Sequence, residues 1–265
     1  MANLSGVLER VTSGKKKRPR RVMVYGIHGV GKSTFASQAP EHLFLDFEDG
    51  LDDIDCTKTP HIKAFDDLLA ILSSLYTTEH KFKTVIIDSL DWLERVIWDF
   101  VCKDANKKNI EEFGYGKGYQ VALGQWRRVI AALDSLRYKK KMATILVAHS
   151  KIEKFESPET ESYDRYVPRL HKLACGLVTE WCDEIFFATY KVFTRKIEEG
   201  FGRERTQAIG TGDRIVRTTE QPYCMAKSRA QLPEEFPLDW NCYMDYLKNG
   251  TGKERNDGES ERDKS

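Results

Sequence analysis

Near the start of the chain, glycines, a lysine and two hydroxyls fall at one spacing. Gly26-Ile27-His28-Gly29-Val30-Gly31-Lys32-Ser33-Thr34 fits the pattern G-x-x-x-x-G-K-[ST] of a phosphate-binding loop. The glycines let the backbone wrap a phosphate chain with its N–H groups pointing inward, and a helix starting there adds partial positive charge. Lys32 then reaches the β- and γ-phosphates, and the Ser33 hydroxyl takes a place on Mg²⁺. His28, Gly29, Val30, Gly31 and Thr34 complete a nucleotide site that opens at Gly26. Further along, Phe-Lys-Thr-Val-Ile-Ile-Asp (82–88) is an apolar run closed by an acid, a Walker B arrangement in which Asp88 holds Mg²⁺ through water. Two more apolar runs end on polar groups. Residues 42–47 lead into Glu48-Asp49-Gly50-Leu51-Asp52, and 143–149 end at His149, which reads either as a structural histidine or as a γ-phosphate sensor.

These residues need a scaffold that delivers them to one place. The β-branched run 21–25 reads as a strand, and 33–38 as a helix that Pro40 stops. Strands follow at 42–47, 82–88 and 143–149, with amphipathic helices at 66–76, 90–101 and 119–138. In such α/β sheets ligands lie beyond the carboxyl ends of the strands, so the terminal acids face the same crevice as the glycine loop. Residues 103–118 mix lysines, glycines and aromatics. They read either as a surface loop or as a mobile element whose Tyr115, Lys117 and nearby Tyr119 meet single-stranded nucleic acid by stacking and charge. Residues 150–173 are charged, lack apolar periodicity and read as a long loop. A short helix and a strand follow over 177–190. Strands at 192–197, 207–209, 214–218 and 223–226, with Gly212-Asp213 as a turn, then extend a parallel sheet with antiparallel ones. Lys227-Ser228-Arg229 sets two cations two residues apart, on one side of an extended chain.

The composition is that of a globular chain. Its 265 residues are 40% hydrophobic, 31% charged and 11% aromatic, with a net charge of +1, so any nucleic-acid surface has to be a local patch. No apolar run has the length of a membrane span, and six scattered cysteines without a C-x-x-C pair suit reduced thiols in the cytoplasm. The expected organisation is a basic arm over 1–20, an ATPase core over 21–248 and a disordered charged tail over 249–265. The arm, ending Lys-Lys-Lys-Arg-Pro-Arg, reads as a solvated segment or as a phosphate-backbone contact.

Taken together, the order of motifs resembles the RecA-like P-loop ATPases over residues 20–230, and among them phage-type single-strand annealing recombinases of the Sak family. The resemblance implies an α/β fold with a mostly parallel sheet, helices on both faces and antiparallel strands near the C-terminal end. It implies that Glu48 activates the attacking water and that His149 stands where the family has a polar sensor, normally Gln. Lys227 and Arg229 match the paired cations that such ATPases insert into a neighbour's ATP site. Residues 103–119 take the place of a first DNA loop. Residues 150–172, with Lys151, Lys154, Arg165 and Arg169, take that of a second. The implied activity is DNA-stimulated ATP hydrolysis with Mg²⁺ by a filament or ring on single-stranded DNA, in recombination or annealing, with a single-stranded DNA-binding protein as a further partner and no membrane. The location implied is the cytoplasm, that of the host if the source is viral. A hexameric helicase or loader motor, a nucleotide-gated binding module with little hydrolysis and, more weakly, a P-loop kinase are the alternatives.

Overall fold

The computed structural model describes residues 11, 13, 14, 16–199 and 203–249, and for 193–199 and 203–209 the backbone alone. Most of the expected arm over 1–20 and all but one residue of the expected tail over 249–265 lie outside the described residues.

The described strands are β1 (Arg21–Gly26), β2 (His42–Asp46), β3 (Thr84–Asp88), β4 (Ala143–Phe155), β5 (Tyr163–Pro168), β6 (Glu184–Glu199), β7 (Arg203–Arg217), β8 (Lys227–Ser228) and β9 (Glu235–Pro237). They form one sheet in the order β2-β3-β4-β1-β6-β7-β9, with β5 on β4 and β8 on β6. The pairs from β2 to β6 are parallel, and those from β6 to β9 antiparallel. The helices are α1 (Lys32–Ser37), α2 (Phe65–Thr77), α3 (Leu90–Asp104), α4 (Lys117–Ser135), α5 (Lys172–Trp181) and α6 (Trp240–Asn249). This is the expected fold class.

Successive strand residues point to opposite faces, and β1 is buried on both. Met23 and Tyr25 pack with Leu68, Leu93, Trp126 and Val178 from α2, α3, α4 and α5. Val22 and Val24 pack with Phe35 and Tyr243 from α1 and α6. The sheet is therefore sandwiched, which fixes its register. In that register Gly26 lies beside His149 on β4 and Ala188 on β6, while Asp88 lies beside Asp46 and Val147. The carboxyl ends of β1 to β4 make a single rim.

The structure corrects four expectations. Residues 150–173 are not a loop: β4 runs on to Phe155 and β5 returns antiparallel to it, up to Pro168. The β4 half of this hairpin is exposed from Ile152 to Phe155, and β5 buries the charged Arg165 beside Val167 and Pro168, so no clean apolar alternation marks it. Gly212-Asp213 is not a turn. β6 and β7 form one long hairpin, and Gly212, at φ 80°, sits where its register shifts opposite Tyr190 and Val192, as a bulge allows. Residues 223–226 form no strand of their own; Cys224 makes only isolated bridges to Tyr166 and Gln221. Finally, 103–118 is not one loop. A 3-10 turn spans Ile110–Phe113, and Lys117 and Tyr119 already belong to α4. α4 can start so close because Gly118 packs on the Ile110 carbonyl, where a side chain would collide.

Candidate active site

β1 ends in the glycine loop and α1 begins at Lys32. Gly26 is required by packing, because a β-carbon there would overlap the Ala188 carbonyl oxygen of β6. Gly31, at φ 101°, has a left-handed backbone that a side chain would strain. Lys32 is only 6% exposed, and its Nζ donates to the carbonyls of Ile27 at 2.9 Å and Gly26 at 3.3 Å. Burial lowers its pKa, although the Asp88 and Glu48 carboxylates oppose the shift.

Asp88, at the tip of β3, is 4% exposed. Burial pushes its carboxyl up to about 6, against a hydrogen bond from Ser33. Its Oδ2 is buried with no hydrogen-bond partner. An orphaned carboxylate oxygen beside a hydroxyl suits Mg²⁺, which takes few protein ligands and shares the rest with phosphate and water. Ser33 and Asp88 are the residues that would hold it.

Glu48 arrives from β2 through a turn that Asp46 fixes. The Asp46 Oδ1 accepts the Asp49 N–H at 2.8 Å, and Phe47 donates its N–H to the Asp88 carbonyl at 2.8 Å. Ser89 Oγ then lies 2.9 Å from Glu48 Oε2 and 3.0 Å from Asp91 Oδ1, so one hydroxyl proton serves two carboxylates.

His149 is 5% exposed, and its ring stacks on that of His28 with centroids 4.0 Å apart. Its Nδ1 is 3.1 Å from Asp91 Oδ1, and its Nε2 is 3.6 Å from Glu48 Oε1. With Nδ1 turned to Asp91, Nε2 is the nitrogen presented to the site. The neighbouring His149, and then burial, lower the His28 pKa.

Asp91 also binds Arg169 Nη2 at 2.5 Å. Burial alone would raise the Asp91 carboxyl, but hydrogen bonds from His149 and Arg169 outweigh it and hold it well below the usual carboxylate range. The site thus collects Lys32, Ser33, Glu48, Asp88 and His149, as the sequence implies, and adds Ser89 and Asp91, which it did not reveal.

The model of the AAA domain family matches residues 18–230 of this chain. The chain belongs to that family. The matched stretch of the AAA domain holds the whole rim just described. No curated protein matches the sequence. Among solved structures, the crystal structure of the RadB recombinase is loosely similar: 14% identity, 82% of this chain and 86% of that one covered, and a TM-score of 0.41. Among the described residues no helix is long and apolar enough to cross a membrane.

Other candidate residues of the AAA domain lie away from the rim. Lys227 and Arg229 are at the opposite end of β6, where β8 pairs with Glu184 and Ile185. Lys227 Nζ donates to the Thr179 carbonyl at 2.8 Å, and Arg229 binds Asp183 at 3.1 Å. Tyr115 is fully exposed. Lys117 is exposed at the start of α4, while the Tyr119 ring stacks on His171 at 3.8 Å and its hydroxyl bonds Glu111. Lys151 pairs with Glu153 at 2.9 Å, Lys154 is exposed, and Arg165 is buried against Glu220. Of these basic hairpin residues, Arg169 alone reaches the site.

Proposed function

We propose that this AAA domain is a Mg²⁺-dependent ATPase that binds single-stranded DNA and acts as an oligomer in homologous recombination or strand annealing. The observation that carries the ATPase reading is the meeting of Lys32, Ser33 and an unpartnered Asp88 oxygen on one rim, with Glu48 and His149 facing them. Glu48 takes the proton of a water that attacks the γ-phosphate in line, and Ser89 holds its carboxylate in place. Lys32 and the loop amides stabilise the growing charge on the phosphate oxygens, and bound Mg²⁺ neutralises part of it. The DNA reading rests on the β4–β5 hairpin, which starts at the sensor-like His149 and carries the exposed Lys154 and half-buried Lys151. Membership of the Sak branch, a cytoplasmic location and a partner single-stranded DNA-binding protein belong to the same proposal.

A second reading is favoured by the in-chain bonds of Lys227 and Arg229, which a trans-acting cation has to leave. It is a nucleotide-gated binding module with little hydrolysis. ATP turnover with and without single-stranded DNA, beside Lys32→Ala and Lys227→Ala, separates the two. Turnover raised by DNA and abolished by both substitutions is the expected result. Turnover that ignores DNA and survives Lys227→Ala favours the binding module, and a Lys32→Ala protein as active as the parent removes the site itself.

A further inference from the structure

The arm formed by β6 and β7 leans over the glycine loop, and two of its side chains arrive there. β6 pairs with β1 as far as Ala188, opposite Gly26, and in the next turn of the arm Tyr190 sits across from Arg214. The Tyr190 hydroxyl donates to the Gly29 carbonyl at 3.4 Å. The Arg214 guanidinium comes so near Gly31 that a β-carbon on that glycine would lie 3.0 Å from its Nη1.

Arg214 is exposed, and its guanidinium makes no ion pair among the described residues. Its neighbours on the arm differ, since Lys191 and Arg217 both pair with Glu235, at 2.7 Å and 3.2 Å. A guanidinium has five donors and no acceptor, and the backbone of a phosphate-binding loop also offers donors. Two donor-rich, electropositive groups therefore lie side by side, and an acceptor-rich anion could bridge them. The same site holds the buried, unpartnered oxygen of Asp88, an independent sign of an absent ligand.

The geometry assigns Arg214 as a second cationic ligand of the nucleotide's phosphate chain, supplied by the same chain. It meets the loop at Gly31, whereas Lys32 Nζ lies at the Gly26–Ile27 end. Bound phosphate then ties the base of the β6–β7 arm to the loop. This assignment rests on the nucleotide-binding reading and adds to it a residue that neither the motif nor the trans-acting pair contains.

The test is titration of Mg·ATP and of inorganic triphosphate into the full chain, with Arg214→Ala, Arg214→Lys and Lys32→Ala beside it, together with melting curves without ligand. Arg214→Ala should weaken both ligands at least about tenfold, as loss of a charge-assisted contact does, and Arg214→Lys should restore part of the loss. Its ligand-free melting temperature should match the parent, because the side chain is exposed and has no ion pair among the described residues; a lowered one with unchanged affinity means a structural role and overturns the assignment. Parent-like ATP binding by Arg214→Ala while Lys32→Ala binds none removes the assignment and leaves the nucleotide reading standing. Weaker ATP with unchanged triphosphate moves Arg214 to the base or ribose and overturns it too. A parent protein that binds neither ligand removes both readings.

Discussion

Asp88 carries a burial cost that Ser33 and Lys32 offset only in part. Its carboxyl, raised by burial from an ordinary value of 3.8 to about 6, binds a proton more readily in the folded chain than in the unfolded one. The sign follows. Without ligand, this group's penalty is absent below about pH 4, grows as pH rises and is fully present above about 6. Asp88→Asn should therefore raise ligand-free stability at pH 7.5 by something on the order of 2 kcal/mol, with little gain at pH 4, as melting curves at the two pH values would show. Mg·ATP affinity of the parent should strengthen as pH rises through 6, and the variant should lose that dependence. A variant less stable than the parent at pH 7.5 would contradict this account of Asp88. Lys32, Ser33 and Asp88 are legible in the sequence because a local spacing defines them. Ser89, Asp91 and Arg214 are not, since each acts through residues far along the chain. Asp91 meets Arg169 and His149, and Arg214 meets Gly31, and no short pattern records such pairs.

At the scale of the element, apolar runs locate the central strands because both of their faces are buried. β1, β3 and the first half of β4 are continuous apolar segments, and their ends fall close to where the sequence sets them. The hairpins escape that logic. β4 is exposed from Ile152 to Phe155 and β5 buries only Arg165, Val167 and Pro168, so β4–β5 reads as a loop, while the register shift between Tyr190 and Val192 makes β6–β7 read as several short strands. β4 holds both regimes within one strand. Residues 144–147 lie between β1 and β3, while 150–155 pair only with β5. Hydrogen exchange should show this as a fall in protection of at least about a hundredfold across His149, from the slow core amides to the fast hairpin ones. Uniform protection along the whole strand would show instead that the hairpin is part of the rigid core. The expected boundary falls on the residue that faces Glu48.

Across the whole molecule, the two ends of the sheet are treated differently. At the end away from the active site, Asp183 binds Arg21 at 2.8 Å, Arg137 at 3.0 Å and Arg229 at 3.1 Å, joining β1, the turn after α4 and the segment after β8. Burial would raise the Asp183 carboxyl, but the hydrogen bond and charge of Arg21 and the charge of Arg137 hold its pKa down. Asp183→Ala takes the carboxylate partner from buried Arg137 and leaves Arg21 only Asp134, 3.6 Å away, and should cost about 3 kcal/mol in denaturant unfolding. Arg229→Ala removes a half-exposed partner that Asp183 can spare, and should cost no more than about 1 kcal/mol. Equal losses would mean that Arg229 anchors the network and is poorly placed to serve a neighbouring copy. The AAA domain match covers both ends of this sheet alike. In a living cell the two ends would nevertheless be noticed differently. Damage at the Asp183 end should appear as less protein, cleared by proteases and chaperones, whereas damage around Asp88 should leave the amount intact and silence each molecule.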